Sequence, residues 1–154
     1  MKKIIITVCL FFVLHTATAQ TFADKLYFEI GYTNFNGNLA KVGSKYFIVP
    51  SRVSVGGSIY LGYLDDSFTV IPELSATAYL VNVEKSKHGL SPFARIGIAP
   101  RTFTPEIDLS ILTLIELSAG YGQKMGETEH ANTKGFRFNI GIAFPLSIKD
   151  MKIM

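Results

Sequence analysis

The most constraining feature of this chain is a strict alternation of large apolar residues with polar or small ones. The stretch GFRFNIGIAF, residues 135–144, shows it in full. One set of alternate residues is large and apolar: Phe136, Phe138, Ile140, Ile142 and Phe144. The other set is charged, polar or small: Gly135, Arg137, Asn139, Gly141 and Ala143. Because strand side chains point alternately to the two faces, this pattern predicts a β-strand with two unlike faces.

The same division recurs along the chain in five further segments: 25–35, 52–64, 67–81, 91–101 and 109–122. The connections between the segments are predicted to alternate in length, with 36–51, 82–90 and 123–133 long and 65–66 and 102–108 short. The tripeptide TPE at 104–106 has the Thr and Pro of a helix start. The residues after it are rich in leucine and β-branched types, so we interpret them as strand. The count is therefore six antiparallel strands in an all-β chain.

Residues 1–19 have the parts of a secretory signal peptide. Lys2 and Lys3 give the positive start, and an apolar run covers 4–14. The run is too short to span a bilayer, and the small residues ATA at 17–19 form a cleavage site. We therefore expect an exported protein rather than one with a short transmembrane anchor.

Cleavage would leave residues 20–154, which suits one domain. Two of the chain's 15 basic residues leave with the signal, so the remaining basic residues nearly balance the 12 acidic ones. Charge therefore gives no support to nucleic-acid binding. The only cysteine, Cys9, lies in the signal, which excludes disulfides and thiolate zinc sites from the domain. No segment beyond the signal is apolar for long enough to form a spanning helix.

The composition of the polar face decides which face is predicted to be inside. In a soluble β-sandwich or barrel the apolar set fills the core, whereas in a transmembrane barrel it meets lipid. The polar face of this chain is unusually rich in glycine: Gly31, Gly56, Gly62, Gly97, Gly120, Gly122 and Gly141. Small residues suit a narrow lumen, where they alternate with large ones, and the nearly uninterrupted apolar face suits lipid. We therefore predict that the polar face lines a lumen.

Five charged residues on this polar face form the candidate site: Glu29, Glu73, Glu116, Arg95 and Arg137. They come from five different segments, near the middle of each. Inside a narrow barrel such charges are tolerated only when paired and hydrogen-bonded. We predict a structural ion-pair network in the lumen. The alternative is five independent surface charges.

The signal, the first strand LYFEIGYTNF, the arm VSVGGSIYLGY and the final FRFNIGIAFPLSI resemble the small outer-membrane β-barrel proteins of Gram-negative bacteria. That family includes the membrane domain of OmpA and the barrel OmpX. The resemblance implies an up-and-down transmembrane barrel of eight antiparallel strands, against the six counted here. It also implies a lumen filled by side chains and folding by the outer-membrane assembly machinery. The chain departs from the family at its C-terminus, where SIKDMKIM continues past the aromatic Phe144.

Candidate catalytic, cofactor and metal-binding residues are weak. His88 and His130 are both predicted to lie in extracellular loops, the second beside Glu127 and Glu129. Such residues usually form solvated surface, and no nucleophile or phosphate-loop motif occurs. A porin-like channel needs many more strands than this chain can supply. We therefore expect no catalysis, no cofactor, no metal and no substantial conductance.

The sequence thus predicts a small barrel of the cell outer membrane with a structural, membrane-integrity or surface-interaction role. Its expected partners are outer-membrane lipid, the assembly machinery and a surface partner reached through the long loops, but no nucleic acid. The interpretation left open is a soluble periplasmic β-barrel that binds a small apolar ligand. That protein would turn the apolar faces inward.

Overall fold

The computed structural model describes residues 25–49, 52–64, 66–81, 89–112, 114–126 and 134–146. Eight antiparallel strands follow one another around a closed barrel, and β1 pairs with β8 to complete it. The strands are β1 (Leu26–Asn34), β2 (Gly37–Val49), β3 (Val53–Leu64), β4 (Ser67–Tyr79), β5 (Leu90–Ala99), β6 (Thr102–Ile111), β7 (Ile115–Lys124) and β8 (Gly135–Pro145). The predicted all-β, antiparallel, up-and-down barrel is confirmed. Among the described residues, no helix is long and apolar enough to cross a membrane.

The strand number is the eight implied by the resemblance, and the count of six is wrong. The segment 36–51, predicted to be a long loop, contains β2. The segment 102–108, predicted to be a short connection, is most of β6, so the TPE tripeptide lies in a strand. The segment 109–122 is divided by a turn at 112–114 between β6 and β7.

The connections leave the barrel at two ends, which we name by the strands. The terminal end contains the start of β1 and the end of β8, and the distal end is the opposite one. At the distal end, two-residue turns join β1 to β2, β3 to β4 and β5 to β6, and the longer connection 125–134 joins β7 to β8. At the terminal end, 80–89 is the longer connection. The predicted alternation of long and short connections is therefore wrong.

The same topology corrects the prediction that His88 and His130 share one side of the membrane. Both residues lie outside the described ranges, but the strand ends that their connections join are described. The connection containing His88 joins β4 to β5 at the terminal end, and that containing His130 joins β7 to β8 at the distal end. The predicted signal peptide, residues 1–19, also lies outside the described ranges.

The two faces of the barrel wall differ throughout. The outward positions of the described strands hold large apolar side chains, of which Leu74 and Ile107 are 72% and 76% exposed. The inward positions hold small and charged residues in the middle of the barrel. Two apolar clusters lie inside it, at opposite ends. The distal cluster is Phe35, Leu39, Tyr60, Leu64, Ile71 and Ala99. The terminal cluster is Phe47, Tyr79 and Phe93, with Tyr27 packed against it.

Candidate functional site

The middle of the lumen contains a concentration of buried charge. Nine Asp, Glu, Lys and Arg side chains point inward and are buried: Glu29, Lys41, Lys45, Glu73, Arg95, Glu106, Asp108, Glu116 and Arg137. The pleat of the strands places them there, because each occupies the same parity as its inward-facing neighbours. Five are acids and four are bases, so the two signs nearly balance inside the barrel.

Arg137 on β8 is the centre of one half of this network. Its Nη1 and Nη2 donate to the two carboxylate oxygens of Glu73 on β4, at 2.5 and 3.0 Å. Its Nε donates to Oε1 of Glu106 on β6 at 2.5 Å. Tyr60 on β3 donates its hydroxyl to Glu73 at 2.9 Å. The two hydrogen bonds from Arg137 to Glu73 form a bidentate Arg–carboxylate pair, which is stronger and more precisely oriented than a single hydrogen bond.

Lys45 on β2 is the centre of the other half. Its Nζ contacts the carboxylate of Glu116 on β7, lies 3.3 Å from that of Glu29 on β1 and donates to the Tyr79 hydroxyl at 3.1 Å. Lys41, also on β2, lies 2.7 Å from the second oxygen of Glu29. Glu29 therefore faces two cations, and Glu116 faces Arg95 as well as Lys45.

Arg95 on β5 joins the two halves. Its Nη2 donates to Glu116 Oε2 at 3.1 Å, and its Nε lies 3.2 Å from Asp108 Oδ2 and 3.9 Å from Glu106 Oε2. Through these contacts all nine charges form one continuous network. All eight of its ion pairs link residues on different strands, and four of them join strands that are not neighbours, so the network braces the barrel across its interior.

Burial makes this network costly to disrupt. Taking charges out of water costs several kcal/mol per ion, and pairing repays the cost only when partners and hydrogen bonds are in place. Arg95 and Arg137 are 4% and 2% exposed. Removing one partner would leave the other as a buried, uncompensated charge. The network therefore depends on its members being present together.

The five residues singled out from the sequence all lie in this lumen. The structure pairs Arg95 with Glu116 and Arg137 with Glu73. Glu29 instead pairs with two lysines of β2, Lys41 and Lys45.

Four members of the network were missed by sequence reasoning: Lys41, Lys45, Glu106 and Asp108. They lie on β2 and β6, the two strands that were interpreted largely as connections. A signal for β6 was present, because Thr102, Thr104, Glu106, Asp108 and Ser110 alternate with Phe103, Pro105, Ile107, Leu109 and Ile111. The proline and the helix-start tripeptide obscured it.

Little free space remains around the network. A cavity of about 10 Å³ beside Glu29, Lys41, Arg95 and Glu116 has room for about one water molecule. The apolar clusters cover the charges at both ends. Lys45 Nζ lies 5.9 Å from the centroid of the Tyr79 ring, and Arg137 Cζ lies 5.0 Å from that of the Tyr60 ring. The described lumen is therefore filled by side chains along its length.

The arrangement offers little for chemistry. The inward carboxylates face lysines and arginines, and this pairing opposes the roles of general base and nucleophile. Among the described residues, no group of three or more His, Cys, Asp or Glu side chains is placed to hold a metal ion. The site is best described as a buried electrostatic core.

The outer face of the barrel wall is apolar, in contrast to the charged lumen. Between the strand ends, the outward positions of the described strands carry no Asp, Glu, Lys or Arg. Aromatic side chains gather near the distal end, where Tyr63 packs on Phe68 with ring centroids 5.7 Å apart. Near the terminal end, Phe28 stacks on Phe144 with centroids 6.4 Å apart. Aliphatic residues occupy the band between them.

Comparisons with known proteins bear on the fold. No protein-family model matches the chain, and no curated protein matches its sequence. Among solved structures, the barrel is similar to the N-terminal β-barrel domain of OprF from Pseudomonas aeruginosa. The TM-score is 0.53 at 14% sequence identity, and the match covers 79% of this chain and 98% of that one. At that identity the likeness shows the fold alone, a closed antiparallel β-barrel.

Proposed function

We propose that this protein is a small outer-membrane β-barrel with a structural or surface-interaction role and no catalytic activity. The observation that carries the proposal is the contrast between the two faces of the wall. Between the strand ends, the described outer face carries no Asp, Glu, Lys or Arg, and it encloses an inner face with nine buried side chains of these types. Transmembrane barrels have this arrangement, and soluble barrels have the opposite one.

The outer wall has the dimensions and composition that a bilayer requires. Its strands have 9 to 13 residues, and about 9–11 tilted residues suffice to cross the hydrocarbon core. Soluble monomers rarely expose an apolar surface that continues around the whole molecule. The aromatic pairs near the two ends lie where interfacial girdles occur in such barrels. Tyr32, Tyr63, Phe68 and Phe144, which face outward on their strands, are the candidates for these girdles.

The packed lumen supports a role other than transport. About eight strands leave an interior just filled by side chains, and both ends of this one are covered by apolar clusters. Each lumen carboxylate of the described residues lies within 4 Å of a lysine or arginine, and this pairing argues against a role in hydrolysis of lipid or peptide. What such a barrel supplies is a rigid membrane anchor with two longer connections, 80–89 and 125–134, on opposite sides.

The alternative, a soluble periplasmic barrel for a small apolar ligand, fits the structure poorly. It needs an apolar interior with space for the ligand. The described interior is charged in its middle, where the cavity beside Glu29, Lys41, Arg95 and Glu116 measures about 10 Å³. The apolar surface is on the outside.

The test is electrophoretic mobility of the protein from an outer-membrane fraction, heated against unheated. Closed barrels that resist detergent migrate differently until heat unfolds them, so we expect a heat-dependent shift and no release of the protein by urea or carbonate washing. A protein recovered in the soluble periplasmic fraction, without a shift, would refute the proposal and favour the ligand-binding alternative.

A further inference from the structure

The charges buried in the lumen do not balance. In the described part of the barrel, the network contains five acids and four bases, so the acids outnumber the bases by one. A charge that is buried without compensation is strongly unfavourable, and in proteins such a group usually becomes neutral instead of remaining charged. The excess negative charge of the network therefore has to be accounted for at a particular side chain.

The four glutamates of the network take up its four cations. Their partners are Arg137 for Glu73 and Glu106, Lys45 and Arg95 for Glu116, and Lys41 for Glu29. The remaining acid is Asp108, on β6. It is only 2% exposed, yet neither of its carboxylate oxygens has a hydrogen-bond partner among the described residues. Asp108 is therefore the acid that is left over once the cations have been assigned.

Arg95 lies close to Asp108 but does not form a hydrogen bond with it. Its Nε is 3.2 Å from Asp108 Oδ2, and within the described part of the chain neither atom has a hydrogen-bond partner. The Nη2 of Arg95 donates to Glu116 Oε2 instead, at 3.1 Å. Since a guanidinium stabilises a carboxylate most strongly through aligned hydrogen bonds, this contact compensates Asp108 less well than the glutamates are compensated.

The other surroundings of Asp108 oppose a negative charge at this position. Its Cα partners on the two neighbouring strands are Phe93, which is fully buried, and Ser118. Besides Arg95, the charged groups that face it are Glu106 on its own strand, Glu116 from β7 and Lys41 from β2. Two of these three groups are acids, and the lysine is already paired with another carboxylate.

We propose that Asp108 is a buried proton-binding site and that the folded barrel holds a proton on its carboxyl group. The proton leaves four negative and four positive charges in the network, so the lumen becomes neutral. It also turns Asp108 into a hydrogen-bond donor. An acceptor that lacks a partner among the described residues, Glu106 Oε2, lies on the same face of β6. This site goes beyond the proposed membrane role, because it concerns the chemistry of the lumen.

The bound proton makes the stability of the barrel depend on pH. In the unfolded chain Asp108 is in water and is ionised above about pH 4, whereas the folded barrel keeps the proton at higher pH. Over that interval the folded state binds one proton more than the unfolded state. The equilibrium constant for unfolding should therefore rise with pH, by up to about tenfold per pH unit, until the folded barrel also releases the proton.

Two acid-to-amide variants of the full chain, folded in lipid vesicles, distinguish a neutral acid from a paired carboxylate. Asp108→Asn is uncharged like the protonated acid, so at neutral pH it should change the equilibrium constant for unfolding by less than about tenfold. Glu116→Gln leaves two buried cations facing a neutral group and should raise that constant by roughly a hundredfold or more. Failure of Asp108→Asn to fold, or a loss as large as that of Glu116→Gln, would overturn the proposal.

The pH profile and the infrared spectrum are readouts that a merely structural role of Asp108 would not change. Asp66→Asn, in an exposed turn, is the control. From mildly acidic to mildly alkaline pH, the unaltered protein and Asp66→Asn should lose stability relative to Asp108→Asn. At neutral pH both should also show the C=O stretching band of a protonated carboxylic acid, which Asp108→Asn should lack. Identical pH profiles for the unaltered protein and Asp108→Asn, or the same infrared band in both, would contradict the proton-binding site.

Discussion

The inner and outer faces of the same eight strands place opposite demands on their residues. On β8, Arg137 and Asn139 are buried among charged and polar partners. The next residue, Ile140, points the other way and is 45% exposed on an apolar wall. The backbone is the same on both faces, so only the surroundings differ. The same residue type therefore contributes differently to stability at different positions in this protein. Its contribution to stability depends on whether its position faces the lumen or the outside, and matched substitutions on the two faces test this.

The largest difference is expected for arginine. Arg137→Met removes a buried cation that donates to Glu73 and Glu106, and leaves both carboxylates in the lumen. Breaking a buried pair in this way costs roughly 3–5 kcal/mol. Arg52→Met, in an exposed turn, should change the free energy of unfolding little. Urea-induced unfolding in lipid vesicles measures both. Similar stabilities for the two variants would show that the lumen network is not needed.

A second variant makes the arginine comparison sharper. In Arg137→Met/Glu73→Gln, one of the stranded carboxylates is also neutralised. The double variant should therefore be more stable than Arg137→Met alone, which a purely steric effect of methionine would not produce.

The next largest effect is expected when a charge is placed on the outer wall. Ile140→Arg exposes a cation to the hydrocarbon and should cost roughly 2–4 kcal/mol near the bilayer midplane. Ile140→Leu, which keeps the wall apolar, should cost much less. The measurement is the fraction of protein inserted into vesicles, together with its unfolding free energy. Normal insertion of Ile140→Arg would mean that this face does not meet lipid.

Replacement of glycine by alanine on the two faces should give a difference in stability of intermediate size. A Cβ at Gly120, which faces the lumen, would lie 2.6 Å from Glu106 Cγ and would also meet the backbone of Pro105. A Cβ at Gly57, which faces outward, has its nearest neighbour at 3.8 Å. Gly120→Ala should therefore cost roughly 1–3 kcal/mol, whereas Gly57→Ala should be neutral or slightly stabilising. Thermal unfolding measures the stability of both variants. An equal loss of stability in the two would contradict a closely packed lumen.

The smallest effect is expected for a single hydroxyl. Tyr60→Phe removes the 2.9 Å hydrogen bond to Glu73 inside the barrel and should cost about 1 kcal/mol. Tyr63→Phe changes an outward residue that is 65% exposed and should be nearly neutral. Unfolding free energies of the two variants are compared. A larger loss for Tyr63→Phe than for Tyr60→Phe would reverse the assignment of faces on β3.

The sequence predicts the faces of most strands, because alternation depends only on the pleat. It fails at β2, where the inward set Leu39, Lys41, Gly43, Lys45 and Phe47 mixes apolar and charged types. The reason is physical. One strand supplies apolar residues to both end clusters and charges to the middle, so no hydrophobic alternation survives on that face. The second missed strand is β6, where Pro105 and the tripeptide TPE resemble the start of a helix.

The partners that lie across the lumen, on strands that are not neighbours, could not be predicted. Arg137 reaches β4 and β6, which are not neighbours of β8 in the barrel, and no local pattern encodes contacts across a closed wall. Asn139 illustrates the consequence. The sequence marks Asn139 only as a polar residue on the lumen face, whereas the structure shows its side-chain amide donating to Glu106 and Ser118 and accepting from Thr33.

The most direct test of the two-faced wall is a cysteine scan along β8. Apart from Cys9 in the predicted signal, the chain has no cysteine, so single cysteines from 136 to 144 can carry a spin label without background. In vesicles, collision with lipid-soluble oxygen should oscillate with a period of two residues, high at Phe138, Ile140 and Ile142 and low at Arg137, Asn139 and Gly141. A flat profile, or one of the opposite phase, would contradict the account of a charged lumen inside a lipid-facing wall.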